Sequence, residues 1–487
     1  MALVAMLGIV VASIKLNAGK VSAQSNDSEN GVYLPLIRQD SPLNRRLNMP
    51  YLGPKPPDEP VPQFFSPAIA WFGEVTSTKN YADVRVWYYD DYIKIFVNII
   101  DRRLWYDTSP SATTLEEWDA VSLYFNRDGN SGHTPSANAY RFVAQLGSAA
   151  SHRTSYRGNG STWQATPISF SAESSYRGSG PNTNLDNKGW QLTTVIPFSS
   201  FGLASPPSTG TVWGLAVAVH DRDDATGTAI ADQRWPEQMN MDKPASWGQL
   251  HFGEAHYNPQ PAVPEGTVTI RNGLNGISVS DAHVGGNFTC GSGIDHWSEW
   301  GETNYAGSTQ INIQNQWDIS DYPCFSKYYV TFPLDLIPAG KAIISAKLSM
   351  SRFGNAGGDV WGDPPDSYIQ VSTIGEDWDE NTLTWNNAPL ALENISGAWV
   401  KPVQFSEQSE YSWDVTKGVL ESIRSGSPLR LAMYSIDGER HSGKYFWSSD
   451  SNDWGGTVRP TLEVTWGTVR DSVDVEYHLS FLPVKVE

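Results

Sequence analysis

The chain has 487 residues and a formal net charge of −19. That length exceeds a single hydrophobic core and predicts two or three domains. The acidic balance argues against nucleic acid and anionic membrane surfaces as partners, because both are held by clustered Lys and Arg.

The composition is unusual in its 20 tryptophans, set beside only 2 cysteines. Tryptophan packs well in all-β cores. On loops, its ring stacks on the C–H faces of sugars while polar neighbours bond the hydroxyls.

Met1 to Ile14 is nearly all apolar, yet too short to span a bilayer. Val21-Ser22-Ala23 then offers small residues for a signal peptidase. Residues 1–23 therefore read as a cleaved secretory signal, with an uncleaved anchor as the alternative because no basic residue precedes the apolar run. The mature protein is expected outside the cell or on its surface, with no membrane span. Residues 24–62 read as an extended Pro-rich leader. It carries one apolar island, Val32-Tyr33-Leu34-Pro35-Leu36-Ile37, and a similar one, Phe481-Leu482-Pro483-Val484, sits in the tail strand 468–487. These islands read as edge strands, or else as segments for surface attachment or self-association.

Residues 63–254 predict a first β-sandwich. Ala82, Val84, Val86 and Tyr88 alternate with Asp83, Arg85 and Trp87, and after a turn at Asp90-Asp91 the chain returns through Ile93, Ile95, Val97 and Ile99. Period-two alternation around an acidic turn predicts a hairpin with one buried face. A loop with Trp105, Glu116, Glu117 and Trp118 precedes a third strand containing Val121, Leu123 and Phe125. Further strands are expected over Tyr140–Leu146, Trp190–Ile196 and Leu215–Val219. Residues 255–265, aperiodic and Pro-rich, read as a linker.

Residues 266–467 predict a second sandwich, with strands over Tyr329–Phe332, Ile343–Met350, Tyr368–Thr373, Leu429–Tyr434 and Leu462–Trp466. One short helix is expected after Thr416 as its cap, with Val419, Leu420 and Ile423 as its apolar side and Gly426 as its end. The fold class is thus all-β: two consecutive antiparallel, jelly-roll-like sandwiches.

Two runs of hard oxygen donors suit a structural Ca²⁺. One is Asn126, Asp128 and Asn130 before Gly132; the other is Asp221, Asp223 and Asp224 after a strand. Neither is an EF-hand, and there is no His/Cys cluster for zinc. Cys290 and Cys324 are expected to pair as a disulfide in an exported chain. The carboxylate pairs Glu116/Glu117 and Asp379/Glu380 are adjacent in sequence, whereas glycoside hydrolysis needs two carboxylates facing each other across a cleft. The residues therefore predict a binding protein rather than an enzyme.

The succession Asp83-Val84-Arg85-Val86-Trp87, Trp118-Asp119-Ala120-Val121, Gly189-Trp190, Ile196-Pro197-Phe198, Val219-His220-Asp221, Trp235 and Trp247-Gly248-Gln249-Leu250 resembles the family 9 carbohydrate-binding modules. The resemblance implies a sandwich that grips a sugar between two aromatic rings, with calcium bracing the loops. It implies stacking by Trp235 and by Trp118 or Trp105, with Glu117 and Arg141 as hydrogen-bonding neighbours. The family's acidic residue after Asp119-Ala120-Val121 is Ser122 here. The second sandwich resembles the disaggregatase-related, DNRLRE-type β-sandwich. The resemblance is carried by Phe332-Pro333-Leu334, Trp378-Asp379-Glu380, Thr384-Trp385-Asn386-Asn387-Ala388-Pro389, Trp413-Asp414-Val415-Thr416 and Arg459-Pro460-Thr461. This implies a module akin to polysaccharide-binding ones. The expected function is secreted, non-catalytic binding of a polysaccharide or glycan. The alternatives are a structural adhesin or envelope subunit, and a polysaccharide lyase or hydrolase.

Overall fold

The all-β reading holds in a computed structural model that describes residues 44–54, 66–315, 318–358, 362–403, 408–436, 441–452 and 456–470. The expected signal segment and both apolar islands lie outside the described residues.

The β-sheets stack in four layers with three cores between them. The first layer contains Ala120–Asn126, Ala139–Gln145, Val212–His220 and Gly248–Phe252. The second is a five-stranded sheet of Ala68–Gly73, Tyr81–Tyr88, Tyr92–Ile100, Asn187–Pro197 and Ser171–Gly178. Val84, Ile95, Leu123, Phe125 and Val217 fill the core between these two layers. The third layer holds Ser280–Gly285, Ser326–Phe332, Leu429–Ser435, Ser367–Ile374 and Ala391–Val400. The fourth is built on Ala342–Asn355 and Thr461–Val469, with Ala262–Arg271, Lys444–Trp447 and Gln310–Ile313 beside them. Val330, Leu348, Leu431 and Val464 fill the core between the last two layers.

The middle core departs from the expected hairpin. Val84 and Val86 face the first core as predicted, but Asp83, Arg85 and Asn98 on the other face are also buried. The reason is the third layer, which covers that face. Ile69, Trp71, Tyr81 and Ile100 of the second layer pack with Tyr329, Trp385, Ala432 and Tyr434. Charges caught in this seam are matched locally. Arg85 pairs with Asp83 at 2.6 Å. The Lys327 ammonium lies 3.8 Å from the Trp385 ring centroid and 4.8 Å from that of Tyr81, a cation–π arrangement.

One short strand joins the halves. Arg46–Met49, within the stretch expected as a leader, runs parallel to Gly248–Phe252 and meets Ala391–Val400 through Arg46 and Glu393. It thereby makes the first and third layers one thirteen-stranded sheet. The preceding residue, Arg45, is buried and reaches both sandwiches. It pairs with Glu237 and with Glu376 at 2.7 Å, and donates to the Leu390 and Ala391 carbonyls at 3.0 Å. Ala262–Arg271 begins inside the stretch expected as a linker and pairs with Thr461–Val469.

The expected helix is Thr416–Ser425, ended by Gly426 at φ 70°. Thr416 is not its side-chain cap: the Thr416 amide donates to Asp414 at 2.8 Å, while the Thr416 hydroxyl accepts from the Ala346 amide. Cys290 and Cys324 form the expected disulfide.

Candidate functional site

Strand ends set the chemistry of the first sandwich. Asp101 follows Tyr92–Ile100, Asp119 precedes Ala120–Asn126, and Asp221 follows Val212–His220. These strands come from both sheets, so their ends meet at one end of the sandwich. A bulge at Gly189 sets the turn beside Asp101. Its φ of 141° and a carbonyl oxygen of Ile99 1.9 Å from any Cβ admit only glycine. One carboxylate oxygen each from Asp101, Asp221 and Asp223 lies within 4.8 Å of the others. Asp101 Oδ2 and Asp221 Oδ1 are buried without a hydrogen-bond partner. Both Asp119 oxygens are engaged, accepting the Trp105 amide at 2.7 Å and the Arg222 amide at 2.9 Å.

Burial, then mutual repulsion, holds Asp101, Asp119 and Asp221 well above the ordinary carboxylate range. Burial pushes Asp223 up to about 6, against the pull of Arg103 and Arg102. Carboxylates crowded this closely, with orphaned buried oxygens, have the donor chemistry of a hard divalent cation. The expected trio is thus changed by one member. Asp224 instead accepts hydrogen bonds from Thr226 and Thr228, and these hold its carboxyl below the ordinary range. Asp101 was missed because it lies 120 residues from Asp221 in the sequence. The polar groups of the run Asn126, Asp128 and Asn130 are taken up by other protein groups, those of Asn126 and Asp128 on their own loop and those of Asn130 on neighbouring segments. Asn126 donates to the Gly129 and Ser131 carbonyls, Asp128 accepts from Asn138 and Ser136, and Asn130 bonds Asn44 and Gln249.

The residues expected to hold sugar in the first sandwich do not come together. Trp235 is 2% exposed and lies in the first core. It pairs with inward-facing Val217, so the strand's alternation turns Arg234 outward instead. Trp105 is also buried, at 9% exposure. Trp118 is half-buried against Gly227. The single turn Leu115–Glu117 points Glu117 to solvent and Glu116 to the sheet. There Glu116 pairs with Arg141 and lies 3.2 Å from His220. His220 reaches Asp232 at 3.0 Å, and Asp232 reaches Arg234 at 3.1 Å. Ser122 donates to Glu116, so a neighbouring turn provides the carboxylate that the strand lacks. Arg141 also lies over Tyr124 and Tyr156, at 5.5 and 4.9 Å. Trp163 and Trp247 lie parallel beside this chain of charges, centroids 6.3 Å apart. Of the five expected sugar contacts, only Arg141 joins this cluster, and its charge is already matched there.

The second sandwich presents a different surface. Along Lys444–Trp447, Phe446 enters the core while Tyr445 and Trp447 face out and are half-buried. Phe353 on the adjacent strand stacks on Trp447 with centroids 4.3 Å apart. Phe288 meets Tyr445 edge-on at 4.5 Å. Asn312, directly opposite Tyr445, keeps a buried Oδ1 with no hydrogen-bond partner. The result is an aromatic platform of four half-buried rings, Phe288, Phe353, Tyr445 and Trp447.

Residues 297–465 match carbohydrate-binding module family 96. This stretch contains Phe353, Tyr445 and Trp447 and lies within the second sandwich. Two solved structures are similar to part of the chain at low identity. Both are family 9 carbohydrate-binding modules from Caldicellulosiruptor kristjanssonii, one in complex with glucose and one with cellotriose. Each is 15% identical to this chain with a TM-score of 0.30; the first covers 44% of this chain and the second 46%, and each is covered over 100% of its own length. No curated protein matches the chain. Within the matched stretch, the adjacent carboxylates Asp379 and Glu380 are each held by a backbone amide. Asp379 accepts the Asn381 amide in a tight turn, and Glu380 accepts the Gly307 amide.

Proposed function

We propose that this chain is a secreted, non-catalytic protein that holds a polysaccharide or glycan by aromatic stacking. The observation that carries this reading is the family 96 match over residues 297–465. The platform of Phe353, Tyr445 and Trp447 lies in the same stretch, and its stacked rings offer flat apolar faces to pyranose C–H groups. The disaggregatase-related resemblance of Thr384 to Pro389 favours the same class of ligand. The Cys290–Cys324 disulfide favours an oxidising compartment, outside the cell or on its surface. Asp101, Asp221 and Asp223 would hold a structural Ca²⁺, whose charge offsets three carboxylates that otherwise repel one another.

The test is binding of a polysaccharide panel to the full chain and to a variant carrying both Phe353→Ala and Trp447→Ala. Loss of two half-buried stacking rings is expected to weaken binding roughly tenfold or more, about 1.4 kcal/mol at the least. Failure of the wild type to bind any member of a broad neutral and acidic panel sinks the reading.

A further inference from the structure

The acidic end of the first sandwich opens onto a cleft of about 390 Å³, far from the aromatic platform in sequence. Its lining includes Thr78, Asp223, Thr228, Ile230, Ala231 and Gln233. Asp223 therefore belongs both to this cleft and to the carboxylate trio. We propose that a divalent cation held by Asp101, Asp221 and Asp223 is reached from this cleft, and that two adjacent hydroxyls of a pyranose complete its coordination there. The ligand class rests on the carbohydrate reading above.

Two observations carry the inference. The first is a gradient of burial: Asp101 and Asp221 are 2% and 1% exposed, while Asp223 is only partly covered. A cation seated on the two buried carboxylates is closed off on their side and open on the side of Asp223. The second is a shortage of oxygens. Ca²⁺ takes about six to eight oxygen ligands. The trio contributes three carboxylates, and neighbouring Asp119 already accepts one backbone amide on each oxygen. Positions are thus left for oxygens that enter from the cleft. Its walls suit a sugar: Ile230 and Ala231 offer apolar surface for ring carbons, and Thr228 and Gln233 offer groups for the remaining hydroxyls. Asp223 and Asp224 repel a uronate, and the Lys79 ammonium in the same lining is already paired with Glu74 at 2.6 Å, so a neutral pyranose is the better fit.

The experiment uses the full chain. Terbium luminescence and Ca²⁺ calorimetry read the cation directly, and saturable binding that Asp221→Asn lowers at least tenfold is expected. Glycan binding is then measured with the Phe353→Ala, Trp447→Ala double variant, which isolates the cleft. Residual binding should fall at least tenfold on chelation with EDTA. Gln233→Ala and Thr228→Val should lower it similarly while leaving Ca²⁺ affinity within twofold. These cleft variants keep the test decisive if Asp221→Asn does not fold. No saturable Ca²⁺ binding overturns the proposal. So does residual glycan binding that is indifferent to EDTA, or none remaining in the platform variant; in both cases binding by the wild type leaves the carbohydrate reading standing. A wild type that binds Ca²⁺ but no glycan overturns both.

Discussion

Single residues here owe their roles to what covers them. Glu116 and Glu117 are neighbours of identical chemistry, yet one is bound to Arg141 and the other faces water. Trp235 has the chemistry of a sugar platform but sits in the core, while Trp447 and Phe353 offer their faces from the second sandwich. Asp281 is a sharper case. Buried, it accepts hydrogen bonds from the Tyr328 hydroxyl at 2.6 Å and from Ser449. Burial outweighs these bonds and pushes its carboxyl up to about 7. The folded pKa therefore lies above the unfolded value near 3.9. Below about pH 4 both states hold the proton; as pH rises toward 7 only the folded state does, and stability falls. An Asp281→Asn variant does not titrate: its oxygen keeps the acceptor for the Tyr328 hydroxyl and the Ser449 amide, and its NH2 donates to the Ser449 hydroxyl oxygen instead. It should gain stability over the wild type between pH 4 and 8, by up to about 4 kcal/mol. Urea melts of both proteins at each pH check this, and a constant difference across the range would contradict it.

At the level of elements, the hairpin Tyr81–Tyr88 and Tyr92–Ile100 has two buried faces. Its alternation was legible in the sequence, but its Asp, Arg and Asn positions read as solvent-facing. Nothing local distinguishes a polar strand face in water from one matched by charges on another layer. The strand Arg46–Met49 was equally hidden, because 4 residues carry too little periodicity to mark a strand. Its neighbour Arg45 makes a strong prediction. Replacing it with Met strands Glu237 and Glu376 and leaves two carbonyls without their donor. A loss of about 3 kcal/mol is expected, below the upper range for buried pairs because both glutamates are partly solvated. Chemical denaturation would measure it, and a change under about 0.5 kcal/mol would put this tie among surface interactions. The disulfide spans 34 residues. Replacing Cys290 and Cys324 by Ser should cost about 3 kcal/mol by relaxing the unfolded chain, again read from denaturation midpoints.

At the scale of the whole molecule, the middle core binds the two sandwiches into one folding unit. Trp71, Tyr81, Trp385 and Tyr434 are all buried there. Calorimetry on the full chain should show one cooperative transition. Residues 262–470 made alone would expose Tyr329, Trp385 and Tyr434, and should aggregate or bind hydrophobic dyes. A soluble, monomeric fragment with an unchanged melting temperature would show that the seam adds little. The same seam bears on legibility. Two sandwiches were readable because each core is written in its own alternating strands. Their fusion was not, since it depends on faces that meet across hundreds of residues.

What the sequence determined by itself was the all-β class, the short helix that Gly426 ends and the pairing of the cysteines, because period-two patterning, capping glycine and cysteine count are local signals. Only the tertiary structure decided which carboxylates gather with Asp221, which rings reach the surface and which strand faces are dry. Those outcomes depend on strand ends and sheet faces brought together from distant parts of the chain, and no window of sequence records such neighbours.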